Sequence, residues 1–183
     1  MYAMWTHGTS FFPMNAGPDW FRNKLVGDRP PLTELAWSDQ QGFRHGREVE
    51  FRGRPNTRNF FTAPIPTPVI VEAGGTSIRT GLLRVMILGQ TTSAAVVELV
   101  EVWDGGSRIR TFGGDGDQNL ALAGDFRTLS PRNTFEFSTP PAVKFGLALS
   151  VRIAFGADDS SQPDNSNRAI FQGAGADLAV VRP

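Results

Sequence analysis

Between residues 144 and 155 the chain alternates between two kinds of side chain. Phe145, Leu147, Leu149, Val151, Ile153 and Phe155 are large and apolar, while Lys144, Gly146, Ala148, Ser150, Arg152 and Ala154 are small or charged. A period of two over this length predicts a β-strand with one buried face, because a helix would spread the same large residues around its whole circumference. At about 3.3 Å per residue the strand would reach roughly 40 Å, longer than usual, so Gly146 is expected to mark a bulge or bend. The second face, with Gly146, Ala148 and Ser150, is too small and too weakly polar for an ordinary solvated face and is expected to be a contact surface.

Further strands are expected over residues 43–51, which alternate imperfectly, and over 59–65, 82–88, 95–103, 125–129 and 134–137, with 108–112 as the return strand of a hairpin. Shorter apolar runs at 69–71, 169–172 and 178–181 complete the set. Asp104-Gly105-Gly106 between two of these runs reads as a hairpin turn. Pro64, Pro66 and Pro68 lack backbone donors and place their stretch at an edge or a bend. Nine or ten short strands without a convincing helix predict an all-β fold, an antiparallel two-sheet β-sandwich of jelly-roll type.

Residues 11–39 carry neither period. Pro13, Pro18, Pro30 and Pro31 break them up, yet Phe11, Phe12, Trp20, Phe21 and Trp37 are too apolar for a free linker. An extended arm that packs its aromatics on this domain or on a neighbouring copy is the expectation, with at most one helical turn over residues 19–25. The chain then divides into residues 1–42, a strand plus the arm, and residues 43–183, the sandwich.

Composition narrows the options. The 183 residues include 14 Phe and 4 Trp, which need burial, and no cysteine, which removes disulfides, thiolate metal sites and a cysteine nucleophile. Eighteen basic residues balance 18 acidic ones, so net charge offers no case for nucleic acid or an anionic membrane. No apolar stretch is long enough to span a membrane, and the first residues lack the basic and apolar regions of a signal peptide. The expectation is a protein synthesised in the cytoplasm, as part of a virion or another assembly.

Candidate chemistry is sparse. His7 and His45 are the two histidines. Thr6, Thr9 and Ser10 put hydroxyls near His7, but strand neighbours point in opposite directions, so a histidine bonded to backbone is the plainer reading. Asp115, Asp117 and Asn119 match the start of a calcium loop, although Leu120 and Phe126 stand where glycine and a bidentate glutamate belong. Asp158, Asp159, Asp164 and Asn165 form a second acidic loop. Arg44, His45, Arg47, Arg52, Arg54 and Arg58 make a basic stretch, diluted by Glu48 and Glu50, that suits either an anionic partner or a solvated edge. Glu98 and Glu101 differ in parity and are expected to face opposite ways, which argues against a glycosidase pair. The loop 113–116 has glycines but no following helix to hold phosphate.

Two stretches, Met4-Trp5-Thr6-His7-Gly8 and Phe60-Phe61-Thr62-Ala63-Pro64-Ile65-Pro66-Thr67-Pro68-Val69-Ile70, resemble an uncharacterised bacterial family of small all-β proteins. The hairpin at Val102-Trp103-Asp104-Gly105-Gly106 and the strand after Pro140-Pro141 also suit that family. The resemblance implies the fold and brings no known activity.

The leading expectation is therefore a non-enzymatic structural protein that self-assembles into a homo-oligomer or larger array. Its contacts would use Phe11, Phe12, Trp20, Phe21, Trp37 and the small face at Gly146, Ala148 and Ser150. A second expectation is a carbohydrate-binding sandwich, calcium-assisted or not, using Trp5, His7 and Trp103. A third is a hydrolase whose site brings His7 or His45 beside an acid and a hydroxyl.

Overall fold

A computed structural model describes residues 1–15, 42–73, 75–92, 94–114, 120–161 and 166–180. Within them the chain forms thirteen strands: β1 (Tyr2–His7), β2 (Phe12–Pro13), β3 (Phe43–His45), β4 (Glu48–Arg52), β5 (Thr57–Ile65), β6 (Ile70–Ala73), β7 (Thr76–Thr91), β8 (Ala95–Asp104), β9 (Ser107–Gly113), β10 (Asp125–Phe126), β11 (Thr134–Glu136), β12 (Leu147–Phe155) and β13 (Arg168–Val180). They make two antiparallel sheets. The larger runs β10-β7-β13-β4-β3, with β1 also on β13 and with β6 and β11 also on β7; the smaller runs β2-β5-β12-β8-β9.

The inner faces meet in one core. Phe61, Ala63, Leu149, Val151, Ile153, Val97, Val100 and Val102 from the smaller sheet join Leu82, Val85, Ile87, Phe171, Ala174, Ala176 and Leu178 from the larger. Phe11 is fully buried, with its ring stacked on Phe171 at 4.1 Å, and Phe51, Phe61 and Phe155 continue the aromatic cluster. Phe11 is thus a core residue and not part of an exposed arm: the short turn at Gly8–Ser10 directs it inward between β1 and β2. Trp20, Phe21 and Trp37 lie outside the described residues, as does the helical turn expected over 19–25.

The long alternating run begins later than expected. β12 starts at Leu147, and its partners on both sides are β5 and β8. Gly146 has a φ of +135°, which bends the chain out of the strand and leaves Phe145 75% exposed. The backbone N–H groups of Lys144, Phe145 and Gly146 all donate to the Asp104 carboxylate at 2.8, 2.8 and 3.0 Å. Satisfying three amides at one buried anion outweighs extending the strand by three residues.

The small face of β12 is covered only in part. Ser150 is buried, bonds the Thr62 hydroxyl at 3.0 Å and stands across from Glu101; Ala148 stands across from Trp103. Ala148 is half-buried, and a Cβ at Gly146 would meet open space. A bulge at Glu98 in β8 pairs Leu99 with Arg152 and Val97 with Ile153. The extra residue reverses the parity, so Glu98 and Glu101 share the outer face instead of facing opposite ways. Glu98 contacts Arg58 and Arg152, while Glu101 accepts from Arg108 and the Trp103 indole.

Residues 169–172 and 178–181, expected as two strands, belong to one. β13 runs continuously through Gly173-Ala174-Gly175-Ala176, with the alanines in the core. Among the described residues no helix is long and apolar enough to cross a membrane.

Candidate functional site

The outer face of the larger sheet carries an open groove of about 760 Å³. Its position follows from strand parity. Arg84 and Met86 alternate with the core residues Val85 and Ile87 on β7, and Asp177 lies between core residues Ala176 and Leu178 on β13. Trp5 of β1 pairs with Gly175 of β13 and forms one wall. The opposite wall is the segment 129–131, with Leu129, Ser130 and Pro131.

Trp5 lies flat because glycine is beneath it. A Cβ on Gly175 would come within 2.7 Å of the indole carbon Cδ2, so no other residue leaves the ring where it is. Trp5 remains 38% exposed. In the same groove Arg84 Nε donates to Asp177 Oδ2 at 2.6 Å, which neutralises an acid that is only 3% exposed. Glu136 and Thr134 of β11 add exposed and half-exposed polar groups.

One buried residue organises the 129–131 wall. Asn133 is fully buried; its Nδ2 donates to the carbonyls of Ile87, Phe126 and Thr128 at 3.0, 2.9 and 3.1 Å, and its Oδ1 accepts from the Ser130 amide at 2.8 Å. An asparagine amide suits this place because it offers both donors and an acceptor at one point.

A second cavity of about 590 Å³ adjoins the first and shares Ser130 with it. Arg47, Arg127, Arg132 and Gln172 line it with Asp125. Arg127 grips Asp125 through Nε and Nη2. The Arg127 side chain, joined by its backbone N–H, holds the Asp125 carboxyl down to about 2. Arg132 Nη2 donates to the Ala123 carbonyl at 3.1 Å.

The other predicted site residues scatter. His7 Nδ1 accepts from the Thr9 amide at 3.3 Å and lies 3.0 Å from the Thr9 hydroxyl, a local arrangement at the end of β1. His45 ends β3. Trp103 belongs to the other sheet, so it and Trp5 share no face. Phe12 is exposed, with the Arg44 guanidinium 5.3 Å from its ring centre. Asp115, Asp117, Asn119, Asp164 and Asn165 lie outside the described residues. Asp158 and Asp159 accept from Ser166, Asn167 and Ser161, and among the described residues no three acids or histidines gather as a metal site. The basic stretch does not form one patch. Arg52 reaches Glu50 on the larger sheet, and Arg58 reaches Glu98 on the smaller.

Sequence reasoning missed Arg84, Ser130, Asn133, Glu136, Asp177 and the glycine floor. The readable signal was Gly173-x-Gly175, whose period of two continues the strand and strips one face of side chains. Comparisons with protein-family models, with curated proteins and with solved structures find no match for this chain.

Proposed function

We propose that this protein works by binding and that the Trp5 groove takes a carbohydrate. The observation that carries the reading is the Trp5 ring, fixed on the Gly175 backbone and open to the groove, with Arg84, Asp177, Thr134 and Glu136 beside it. A sugar ring has one apolar C–H face, which stacks on an aromatic plane, and a rim of hydroxyls, which bond planar charged side chains. A largely apolar cleft with a few converging polar groups is the usual form of such a site. Isothermal titration of the full chain against a panel of oligosaccharides tests it. Binding lost in Trp5→Ala and kept in Trp103→Ala supports the reading; a blank panel with the folded protein overturns it.

A second reading, assembly into a homo-oligomer, has its own support. Phe145 is 75% exposed and is held out by the Asp104 carboxylate, and an exposed rigid aromatic is the type of residue that anchors protein interfaces. Sedimentation of the wild type and Phe145→Ser tests it. A wild type that stays monomeric at high concentration removes this reading.

A further inference from the structure

The cavity beside the groove has the wrong charge for a neutral ligand. Arg47, Arg127 and Arg132 line it against the single acid Asp125. Glu48 at the border, which accepts from Gln172 Nε2 at 3.0 Å, still leaves one net positive charge, in a chain whose formal charge is zero. Glu50, further along the same strand, does not cancel it, because Arg52 and Arg168 already hold that carboxylate.

The guanidiniums are also arranged to receive an anion. Arg127 spends its Nε and Nη2 on Asp125, and among the described residues its Nη1 donors have no other acceptor. Arg132 is tethered through one nitrogen to the Ala123 carbonyl, and Arg47 has 76% of its side chain in solvent, with only a long 3.8 Å ion pair from its Nε to Glu48 Oε2 to give up if it closes over a ligand. Two tethered guanidiniums and one mobile one suit an oxyanion, whose oxygens take paired N–H donors. Ser130 lines both this cavity and the Trp5 groove, so a ligand of two or more rings can occupy both.

We propose that the Arg47–Arg127–Arg132 pocket binds the acid group, carboxylate or sulfate, of an acidic oligosaccharide whose neighbouring ring lies on Trp5. The inference rests on the carbohydrate reading of the groove and adds the ligand's charge to it.

The test is calorimetry of the full chain with three oligomers of equal length: neutral, uronate-containing and sulfated. The expected result is that at least one acidic oligomer binds tenfold or more tighter than the neutral one. Which of the two gains identifies the acid group. The advantage should shrink at 0.5 M salt. Arg127→Gln and Arg132→Gln should each remove most of it while leaving neutral binding unchanged, and Trp5→Ala should weaken both kinds of ligand. Arg47→Gln, at an exposed position where folding is not at stake, should remove part of it. Equal affinity for neutral and acidic oligomers, with Trp5 still required, overturns the anion pocket and leaves the groove standing. No binding of any oligomer overturns both readings. Binding of an acidic peptide in preference to every oligomer overturns the proposal as well.

Discussion

Trp5 and Trp103 both project from the outer face of a sheet, one from each side of the sandwich. Trp103 is half-buried, with its indole N–H on Glu101, which also accepts from Arg108. Its polar neighbours face one another. Trp5 rests on a stretch of strand where glycine leaves its face bare, and Arg84, Asp177 and Glu136 line the same groove. What stands opposite each ring in the register decides the outcome. Glycine opposite Trp5 lets the ring lie flat and open a groove, while long charged residues flanking Trp103 close its face.

The largest blow to this contrast should be Asn133→Ala. It strands three carbonyls and the Ser130 amide at a fully buried position, at a cost of about 3 kcal/mol. In a chain of this size that lowers Tm by about 6–12 °C. Because Asn133 holds the wall common to both cavities, ligand binding should fall with it, while Trp103 fluorescence should not move. Thermal melts and tryptophan emission, with Trp5, Trp20 and Trp37 all replaced by Phe to isolate Trp103, decide this. A stable Asn133→Ala variant that still binds would show that the wall is held by something else.

Gly175→Ala should come next. The new Cβ meets the indole at 2.7–2.8 Å, so the ring must lift, at a cost of about 1–3 kcal/mol. Binding through Trp5 should drop at least tenfold, with the Trp103 face unchanged. Retained binding would mean that the ring does not need its glycine floor.

Acid titration probes the rims of the two faces. Burial alone would raise the Asp104 carboxyl, but the amides of Gly146, Phe145 and Lys144 override it and bring it below its ordinary value of 3.8. A depressed carboxyl contributes stability at pH values above its ordinary value, and the contribution disappears as pH falls through the lowered one. The wild type should therefore lose stability below about pH 4, and Asp104→Asn should lose less over that window after starting about 1 kcal/mol lower at pH 7. Chemical denaturation at pH 7 and pH 3 measures both. Equal losses in the two proteins would mean that Asp104 is not the group that titrates. The Asp125 carboxyl, held at about 2 by Arg127, should stay ionised through the same range, so its pair with Arg127 persists at pH 3.

The sandwich was legible because burial repeats: the runs at 82–88 and 95–103 place large apolar residues at alternate positions and became β7 and β8, and the Asp104-Gly105-Gly106 turn gave the return strand β9. The exceptions have local causes. Phe145 fits the alternation but lost its place to the Asp104 carboxylate, a partner 41 residues away that no periodicity reveals. Glu98 and Glu101 came to one face through a single bulged residue. The groove was nearly invisible. Of its residues only Trp5 stood out, since Arg84 and Asp177 meet across 93 positions of sequence and Asn133 looks like any turn asparagine until its partners are seen. The glycines under Trp5 read as a strand break because an absent side chain carries no hydrophobic signal.

The smallest effect should come from the closed face itself. Arg58 Nε lies 2.9 Å from Glu98 Oε1, but 68% of its side chain is in solvent, which predicts a coupling of about 0.5 kcal/mol. Arg152 approaches the same carboxylate at 2.5 Å with 28% exposure, and its guanidinium sits 5.8 Å from the Phe60 ring centre. Screened less from its partner and packed on an aromatic, it should couple to Glu98 by about 1 kcal/mol. Double-mutant cycles at low salt and at 1 M NaCl separate the two. The Arg58 pair should vanish at high salt, where the Debye length is about 3 Å, and the Arg152 pair should persist. None of these substitutions should change ligand affinity, because the groove lies across the core on the other sheet. If Glu98→Gln weakened binding, the division of labour between the two faces would fail, and the closed face would have to be counted as part of the site.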